Sequence, residues 1–366
     1  MYKVLHLMGG ADIGGISSVV VNYYTHIDRT QIHFDIATTT NKYGINAEKL
    51  NHLGAIFFRV TLKSIDRKAF KQDLKKILIA NDYDAIHVHE NHTSWVALQV
   101  AKECGIKCRV AHAHTAGPQS FYPKLLLKQF IGKVLNAYYA TNLIACGQKA
   151  GEFIFGRFNM SKSKAIILPN AIDTQKFSYD EIVRQKIRTE LRIENRFVVG
   201  MVGRVASPKN NVGSLALFKA IKRRIPNAIF LIVGDGEDMP KLKKAICISN
   251  LQNDVVCLGS RNDVNQLFQA FDIYILPSFY EGFPVAAVEA LATGLPVLLS
   301  DTITRELEFG SAVRYLPLND HESWANAACE FIHDEARINR VSEIERNGLD
   351  IRQTSLLLQN LYLSYK

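Results

Sequence analysis

The chain has 366 residues, 48% hydrophobic and 22% charged, with only 22 glycines and 10 prolines, which excludes collagen-like and low-complexity classes and leaves a globular protein long enough for two cores. Its net charge of +9 is concentrated: residues 1–169 hold 21 Lys+Arg against 11 Asp+Glu (21 − 11 = +10), and residues 170–366 hold 23 against 24 (−1). A basic half predicts an anionic partner such as a phospholipid surface, a phosphorylated acceptor or nucleic acid.

The opening MYKVLHLMGGADIGG has no apolar region followed by a cleavage site, and no apolar run approaches the roughly 18 residues of a spanning helix. Six cysteines (Cys104, Cys108, Cys146, Cys247, Cys257, Cys329) without a CxxC pair read as reduced and buried, so a cytoplasmic protein, soluble or peripheral, is expected.

A first strand at Lys3–Met8 gives way to Gly9-Gly10 and Gly14-Gly15 before Ser17 opens a helix. The loop departs from G-x-G-x-x-G and no acid follows at the spacing a ribose would need, so a loop admitting a phosphate or sugar fits better than a dinucleotide site. Apolar runs follow at Phe34–Thr38, Ile56–Val60, Ala85–His89, Arg109–His114 and Asn142–Cys146, separated by helical patterns that include Asp66–Ala80, Thr93–Cys104 and Tyr122–Tyr139.

His87, His89 and His92 in IHVHENH, and His112 and His114 in RVAHAHTAG, stand at the ends of two of these strands. A period of two puts each HxH pair on one face. No cysteine or carboxylate cluster completes a zinc site, so buried, hydrogen-bonded histidines are expected, with one of them facing a substrate. The Asp82–Asp84 DxD triplet precedes its strand, the wrong end of a sheet for Mg²⁺-diphosphate.

Tyr122–Leu135 reads as a basic amphipathic helix with Lys124 and Lys128 one turn apart. Packing on the sheet accounts for its apolar face as well as membrane docking does; docking also accounts for the basic half.

The stretch LPNAIDTQKF (Leu168–Phe177) marks a boundary, giving domains 1–169 and 170–350, and a polar helical stretch follows up to Asn195. Strands then read at Phe197–Val202, Ala228–Val233, Val255–Leu258, Asp272–Leu276 and Pro296–Ser300, with helices at Val212–Arg224, Met239–Asn250, Asp263–Ala270 and Pro284–Ala292. Such alternation predicts parallel sheets. The apolar Leu356–Tyr365 has no place in the second sheet, so 351–366 is expected to return to the first domain.

Two segments of this second half carry chemistry. After strand FVVGMVGR, Gly203 and Arg204 lead to Lys209 and Asn210 on a loop entering a helix. An arginine fork, a lysine point charge and a helix N-terminus can together grip a diphosphate, although two surface cations would look the same. In PSFYEGFPVAAVEALATGLPVLLSD, Glu281 and Glu289 stand eight apart, a little over two helical turns, across the bend Gly282-Phe283-Pro284. One carboxylate at the helix mouth and one on its inner wall suit a polyhydroxylated ligand. Their place after strand DIYIL puts them at a carboxyl edge, where open α/β sheets bind ligands.

Taken together, GR-x4-KN, E-x7-E, Pro169-Asn170-Ala171-Ile172-Asp173 and His112-Ala113-His114-Thr115 resemble the retaining glycosyltransferases of the GT-B fold, family 4, in their bacterial exopolysaccharide and capsule branch. The resemblance implies an α/β architecture of two Rossmann-like domains facing a cleft, with the nucleotide-sugar, a UDP-sugar in much of that branch, lying mostly on the second. It implies that Arg204 and Lys209 neutralise the diphosphate, Glu289 holds the ribose, and Glu281 with the Gly282–Pro284 backbone holds the sugar. His114, or else His112, would touch the sugar near its anomeric carbon, and Gly14, Gly15, Gly203 and Asn210 would complete the donor site. No cofactor or metal would be needed, because two cations stabilise the leaving diphosphate. The acceptor would be a lipid-linked saccharide at an anionic membrane surface, with no nucleic acid involved. Two alternatives stand beside this reading: a catalytically silent nucleotide-sugar-binding subunit, and a Rossmann-type NAD oxidoreductase.

Overall fold

Parallel strands need crossovers of a dozen residues or more, and alternating strand and helix patterns supply them. The computed structural model describes the chain apart from residues 12–14, 42, 118–122, 163–164, 308 and 333–336, and gives 123–125 in backbone only. It forms two compact units, Met1–Ala171 with Gly348–Lys366, and Ile172–Asn347. The sequence puts the junctions at 169/170 and 350/351; the chain changes unit at Ala171/Ile172 and at Asn347/Gly348.

In the first unit, β1 (Tyr2–Met8), β2 (Ile32–Thr38), β3 (Phe57–Arg59), β4 (Ala85–Val88), β5 (Cys108–Ala113), β6 (Asn142–Ala145) and β7 (Ala165–Ile167) form one parallel sheet in the order β3-β2-β1-β4-β5-β6-β7. Its central strands are buried on both faces, as a parallel sheet covered by helices requires. On one face Leu5, Leu7, Ile86 and Val88 pack with Phe70 and Leu74. On the other, Val4, Phe34 and Val110 pack with Tyr23 and Tyr24 of helix Gly15–His26 and with Leu358 and Tyr362 of the C-terminal helix Ile351–Leu363. That helix starts at Asp350, whose carboxylate accepts from the Arg352 N–H, and Gln359 ties it to the Asp28 N–H at 3.0 Å.

In the second unit, β8 (Phe197–Val202), β9 (Ala228–Val233), β10 (Val255–Gly259), β11 (Ile273–Leu276), β12 (Val297–Ser300) and β13 (Val313–Leu316) form a parallel sheet ordered β10-β9-β8-β11-β12-β13. A core of Val199, Met201, Phe218, Phe230 and Trp324 covers one face. The reading from sequence does not single out β7 or β13. Both are short edge strands with mostly half-buried residues, so neither shows a clean apolar pattern.

The helix Pro123–Tyr139 is oriented differently from a sheet-packed helix. Leu126, Leu127, Phe130, Ile131, Val134 and Tyr138 are exposed, with Phe130 at 64%, while Gln129 and Asn136 are buried. Its inner face comes so close to the turn Asn91–Thr93 that a Cβ on Gly132 would stand 2.3 Å from the His92 carbonyl oxygen. Asn136 Nδ2 donates to the Asn91 carbonyl at 2.9 Å. Sheet packing therefore does not account for the apolar face.

Candidate active site

The second sheet adds β9 and β10 on one side of β8, then β11, β12 and β13 on the other. At such a switch point the loops after the two central strands diverge and leave a crevice at their carboxyl ends. Here the loops after β8 and β11 are Gly203–Asn210 and Pro277–Pro284. They are tied together: the Phe279 N–H donates to the Pro208 carbonyl at 2.9 Å, and the Val205 N–H donates to the Asp235 carbonyl at 3.0 Å in the loop after β9.

Onto this platform the chain brings the expected charges. Lys209 Nζ lies 2.7 Å from Glu281 Oε1, and Ser278 Oγ donates to the same oxygen at 2.6 Å. Gly203, at φ 147, leaves Lys209 Cε 3.6 Å from where a Cβ would stand. Arg204 pairs with Glu237 at 2.9 Å, both more than half exposed. So open a pair contributes at most about 1 kcal/mol and is readily exchanged for a ligand's phosphate. Asn210 takes a left-handed backbone, φ 55, where the helix Asn211–Arg224 begins, which gives it a conformational role.

The two glutamates do not share a helix face. The helix runs Val285–Ala292 and Pro284 precedes it with ψ 74, outside the helical range, so Glu281 lies upstream on the turn and only Glu289 is helical. The bend itself is anchored by the buried Phe283 and Pro284 around the less buried Gly282. Both acids nevertheless act on Tyr274, whose fully buried phenol is pushed up by burial and by the charges of Glu281 and Glu289. Burial raises the Glu289 carboxyl to about 7, with Lys176 partly opposing. Sequence reasoning missed Ser278, Glu237 and Lys176 as partners. Ser278 could have been found as a hydroxyl three residues before Glu281.

In the first unit the expected glycine loop follows β1; Gly14 lies outside the described residues, and Gly15 is the first residue of its helix, with open space where a Cβ would stand. The histidines gather, with a member the sequence reading did not name: His6 of β1, in register with His87 of β4. His6 Nδ1 and His89 Nε2 are 3.0 Å apart, His89 Nδ1 and His114 Nε2 2.9 Å, and His87 Nε2 and His112 Nδ1 3.0 Å. His87 Nδ1 also meets Tyr362 Oη at 2.5 Å. Burial pulls the His6 and His114 imidazoles down to about 3, and burial with histidine neighbours holds His87, His89 and His112 well below the usual range.

His92 stands apart against Phe153. Asn91, also missed, fixes His114 by accepting its backbone N–H at 2.9 Å on Oδ1. His6, His87 and His89, and again His89, His112 and His114, place ring nitrogens within 4.8 Å of one another, close enough for a metal ion. Asp84 accepts the Lys3 N–H at 2.8 Å before β4, so that half of the DxD triplet is structural.

Residues 183–348 match the family described as glycosyl transferases group 1, and residues 13–176 match glycosyltransferase family 4. The Bacillus subtilis (strain 168) protein named "Putative glycosyltransferase EpsF" is 31% identical over 84% of this chain and 81% of its own. The Escherichia coli UDP-Gal:alpha-D-GlcNAc-diphosphoundecaprenol alpha-1,3-galactosyltransferase is 29% identical over 99% of this chain and 96% of its own. The solved structure of Anabaena HepE in complex with UDP-glucose superposes with a TM-score of 0.82 at 20% identity, covering 100% of both chains. Two parallel-sheet Rossmann-like units of this kind are the GT-B architecture, and the oxidoreductase alternative falls away. The chain belongs to the group 1, family 4 glycosyltransferases.

Proposed function

We propose that the protein is a retaining glycosyltransferase of cell-surface polysaccharide synthesis that moves a sugar from a UDP-sugar onto a lipid-linked saccharide at an anionic membrane surface, without a metal ion. The observation that carries this is the Lys209–Glu281 pair at the switch point of the second sheet, with Arg204 on the same loop as Lys209 and Glu289 acting on the same buried tyrosine as Glu281.

As the glycosidic bond to the nucleotide breaks, negative charge develops on the diphosphate. Lys209 and Arg204 supply two positive charges to it, in place of a divalent cation. Glu281 pairs with Lys209 at 2.7 Å. With donor bound, the lysine turns to phosphate and the carboxylate accepts from sugar hydroxyls, while Glu289 accepts from the ribose. His114 touches the sugar near the anomeric carbon, and attack on the face from which the nucleotide departs retains its configuration.

UDP as the nucleotide is supported by the donor named for the Escherichia coli relative and by the UDP-glucose bound in the HepE structure. A lipid diphosphate acceptor is supported by the same relative and by a Campylobacter jejuni N-acetylgalactosaminyltransferase, 28% identical over 65% of this chain, whose name also carries diphospho-undecaprenol. Among the described residues no helix is long and apolar enough to cross a membrane. Attachment falls to the outward apolar face of Pro123–Tyr139 and the +10 charge of residues 1–169.

The test is a transfer assay onto undecaprenyl-diphosphate-linked sugar with UDP-glucose, UDP-galactose, UDP-N-acetylglucosamine and GDP-mannose, run in EDTA. A UDP-sugar is expected to give a product that keeps the donor's anomeric configuration by NMR. Arg204→Ala and Lys209→Ala should each lower turnover at saturating donor by roughly 10²-fold with folding unchanged. Near wild-type turnover in either variant would remove the diphosphate role, and activity abolished by EDTA and restored by Mg²⁺ would remove metal independence.

A further inference from the structure

The imidazoles of the first unit are joined in a definite sequence, and the number of protons they carry constrains His114. At neutral pH each ring is neutral and carries one N–H, which leaves the other nitrogen an acceptor. His89 spends both nitrogens on neighbours: Nε2 on His6 Nδ1 at 3.0 Å and Nδ1 on His114 Nε2 at 2.9 Å. Each contact holds one hydrogen, so the proton on His89 decides both directions. If His89 donates from Nδ1 to His114, then His6 must donate from Nδ1 to His89; His114 presents Nδ1–H and His6 Nε2 is bare. If the order is reversed, His114 presents a bare Nδ1 and His6 carries its hydrogen on Nε2. Both end atoms, His6 Nε2 and His114 Nδ1, are buried without a hydrogen-bond partner among the described residues.

Burial selects between the two orders. His6 is fully buried, its ring centroid 4.2 Å from that of Phe34. A buried N–H with no acceptor is rarer than a buried acceptor with no donor. The first order leaves a bare nitrogen at His6 and sets the unpartnered N–H at His114, a half-buried residue where a substrate oxygen can accept it; the second sets the orphaned N–H at the fully buried His6.

We propose that His6 and His89 are positioning residues, a hydrogen-bonded relay that fixes His114 as the Nδ1–H tautomer and so presents an uncharged donor to an oxygen of the substrate. The proposal deepens the reading above and rests on His114 touching the transferred sugar. It also favours hydrogen bonds over a metal ion in this cluster, because a metal taking His89 as ligand would have to break one of the two bonds that His89 makes.

The test uses the full-length protein with ¹⁵N-labelled histidine. Ring ¹⁵N shifts, assigned from single variants, should show His6, His89 and His114 all protonated at Nδ1. Finding His114 protonated at Nε2 overturns the proposal, as does a zinc titration in which one equivalent binds tightly and displaces the His89 resonances. His6→Leu removes the donor to His89 and should lower kcat by about fivefold with the donor KM unchanged, on the scale of one lost hydrogen bond. His6→Asn, whose amide can still donate to His89, should restore most of kcat. A purely structural His6 would shift the melting temperature in both variants and leave kcat alone. If His114→Ala keeps full turnover, the reading of His114 as a substrate contact fails whatever its tautomer. If His114→Ala is inactive while His6→Leu is fully active, only the relay fails.

Discussion

A carboxylate that binds ribose hydroxyls, the role proposed for Glu289, has to be ionised when the ligand arrives, and Glu289 begins with burial holding its carboxyl at about 7. Hydroxyl donors favour the charged form, so donor binding should expel a proton from Glu289. Affinity for an intact UDP-sugar, whose diphosphate does not titrate near neutrality, should therefore rise by about tenfold from pH 6 to pH 8, following the ionised fraction. Calorimetry in buffers of different ionisation enthalpy would detect the proton, and Glu289→Gln should bind more weakly with a flat pH profile. Stability runs the other way. Between the ordinary 4.5 and about 7 the folded state holds a proton that the unfolded state has lost, so stability falls as pH rises through that window. Glu289→Gln should consequently melt higher than the wild type at pH 8 while binding donor worse; a variant that loses both would refute the assignment. At this scale the sequence shows Arg204, Lys209, Glu281 and Glu289, because each sits in a contiguous segment next to its strand. It hides the pairing of Lys209 with Glu281, 72 residues apart, and of His6 with His89, 83 apart, since those contacts exist only once β8 lies beside β11 and β1 beside β4.

The helix Pro123–Tyr139 shows the same limit one level up: its period is legible in the sequence and the direction of its apolar face is not. Two features decide that direction, the Gly132 contact with the His92 backbone and the buried Asn136, and both turn Leu127, Phe130 and Val134 outward. Lys128 is exposed on the same helix, and Lys124 precedes it by one turn. Basic residues near an anionic surface contribute about 1 kcal/mol each, so charge alone gives weak attachment that salt reverses, and inserted apolar side chains strengthen it. The protein should co-sediment with anionic vesicles at low salt, less at high salt, and poorly with neutral vesicles. Lys128→Glu should weaken the charge-dependent part, and Phe130→Glu should abolish binding with the melting temperature unchanged, since that ring is already in solvent. Equal binding to both vesicle types, or none, would remove the membrane from the function and leave the donor chemistry standing.

Over the whole molecule, strand and helix alternation makes the two parallel sheets predictable, and the lack of a place for the last helix in the second sheet makes its return to the first unit predictable too. Which residues that return would engage is not legible, because it depends on the histidines being stacked beneath it. Tyr362 is fully buried among Tyr2, Phe34 and Val110, and its hydroxyl ends the second histidine chain, Tyr362–His87–His112. The last helix therefore closes the core beneath these histidines, while the loops that carry Lys209 and Glu281 belong to a sheet with a separate core around Phe218, Phe230 and Trp324. If stability follows the cores, the two units should respond to different perturbations. Tyr362→Ala removes a large buried ring and leaves His87 Nδ1 without its hydroxyl, a loss of about 3–5 kcal/mol. In a unit of this size that corresponds to a fall of roughly 6–20 °C in its transition. A UDP-sugar should instead raise the transition of the donor unit by mass action. Scanning calorimetry of Tyr362→Ala is expected to show an early transition insensitive to donor and a later one that donor shifts upward. A single transition lowered by the substitution and raised by donor would mean that the chain unfolds as one cooperative body, and the division of labour between its two cores would have to be given up.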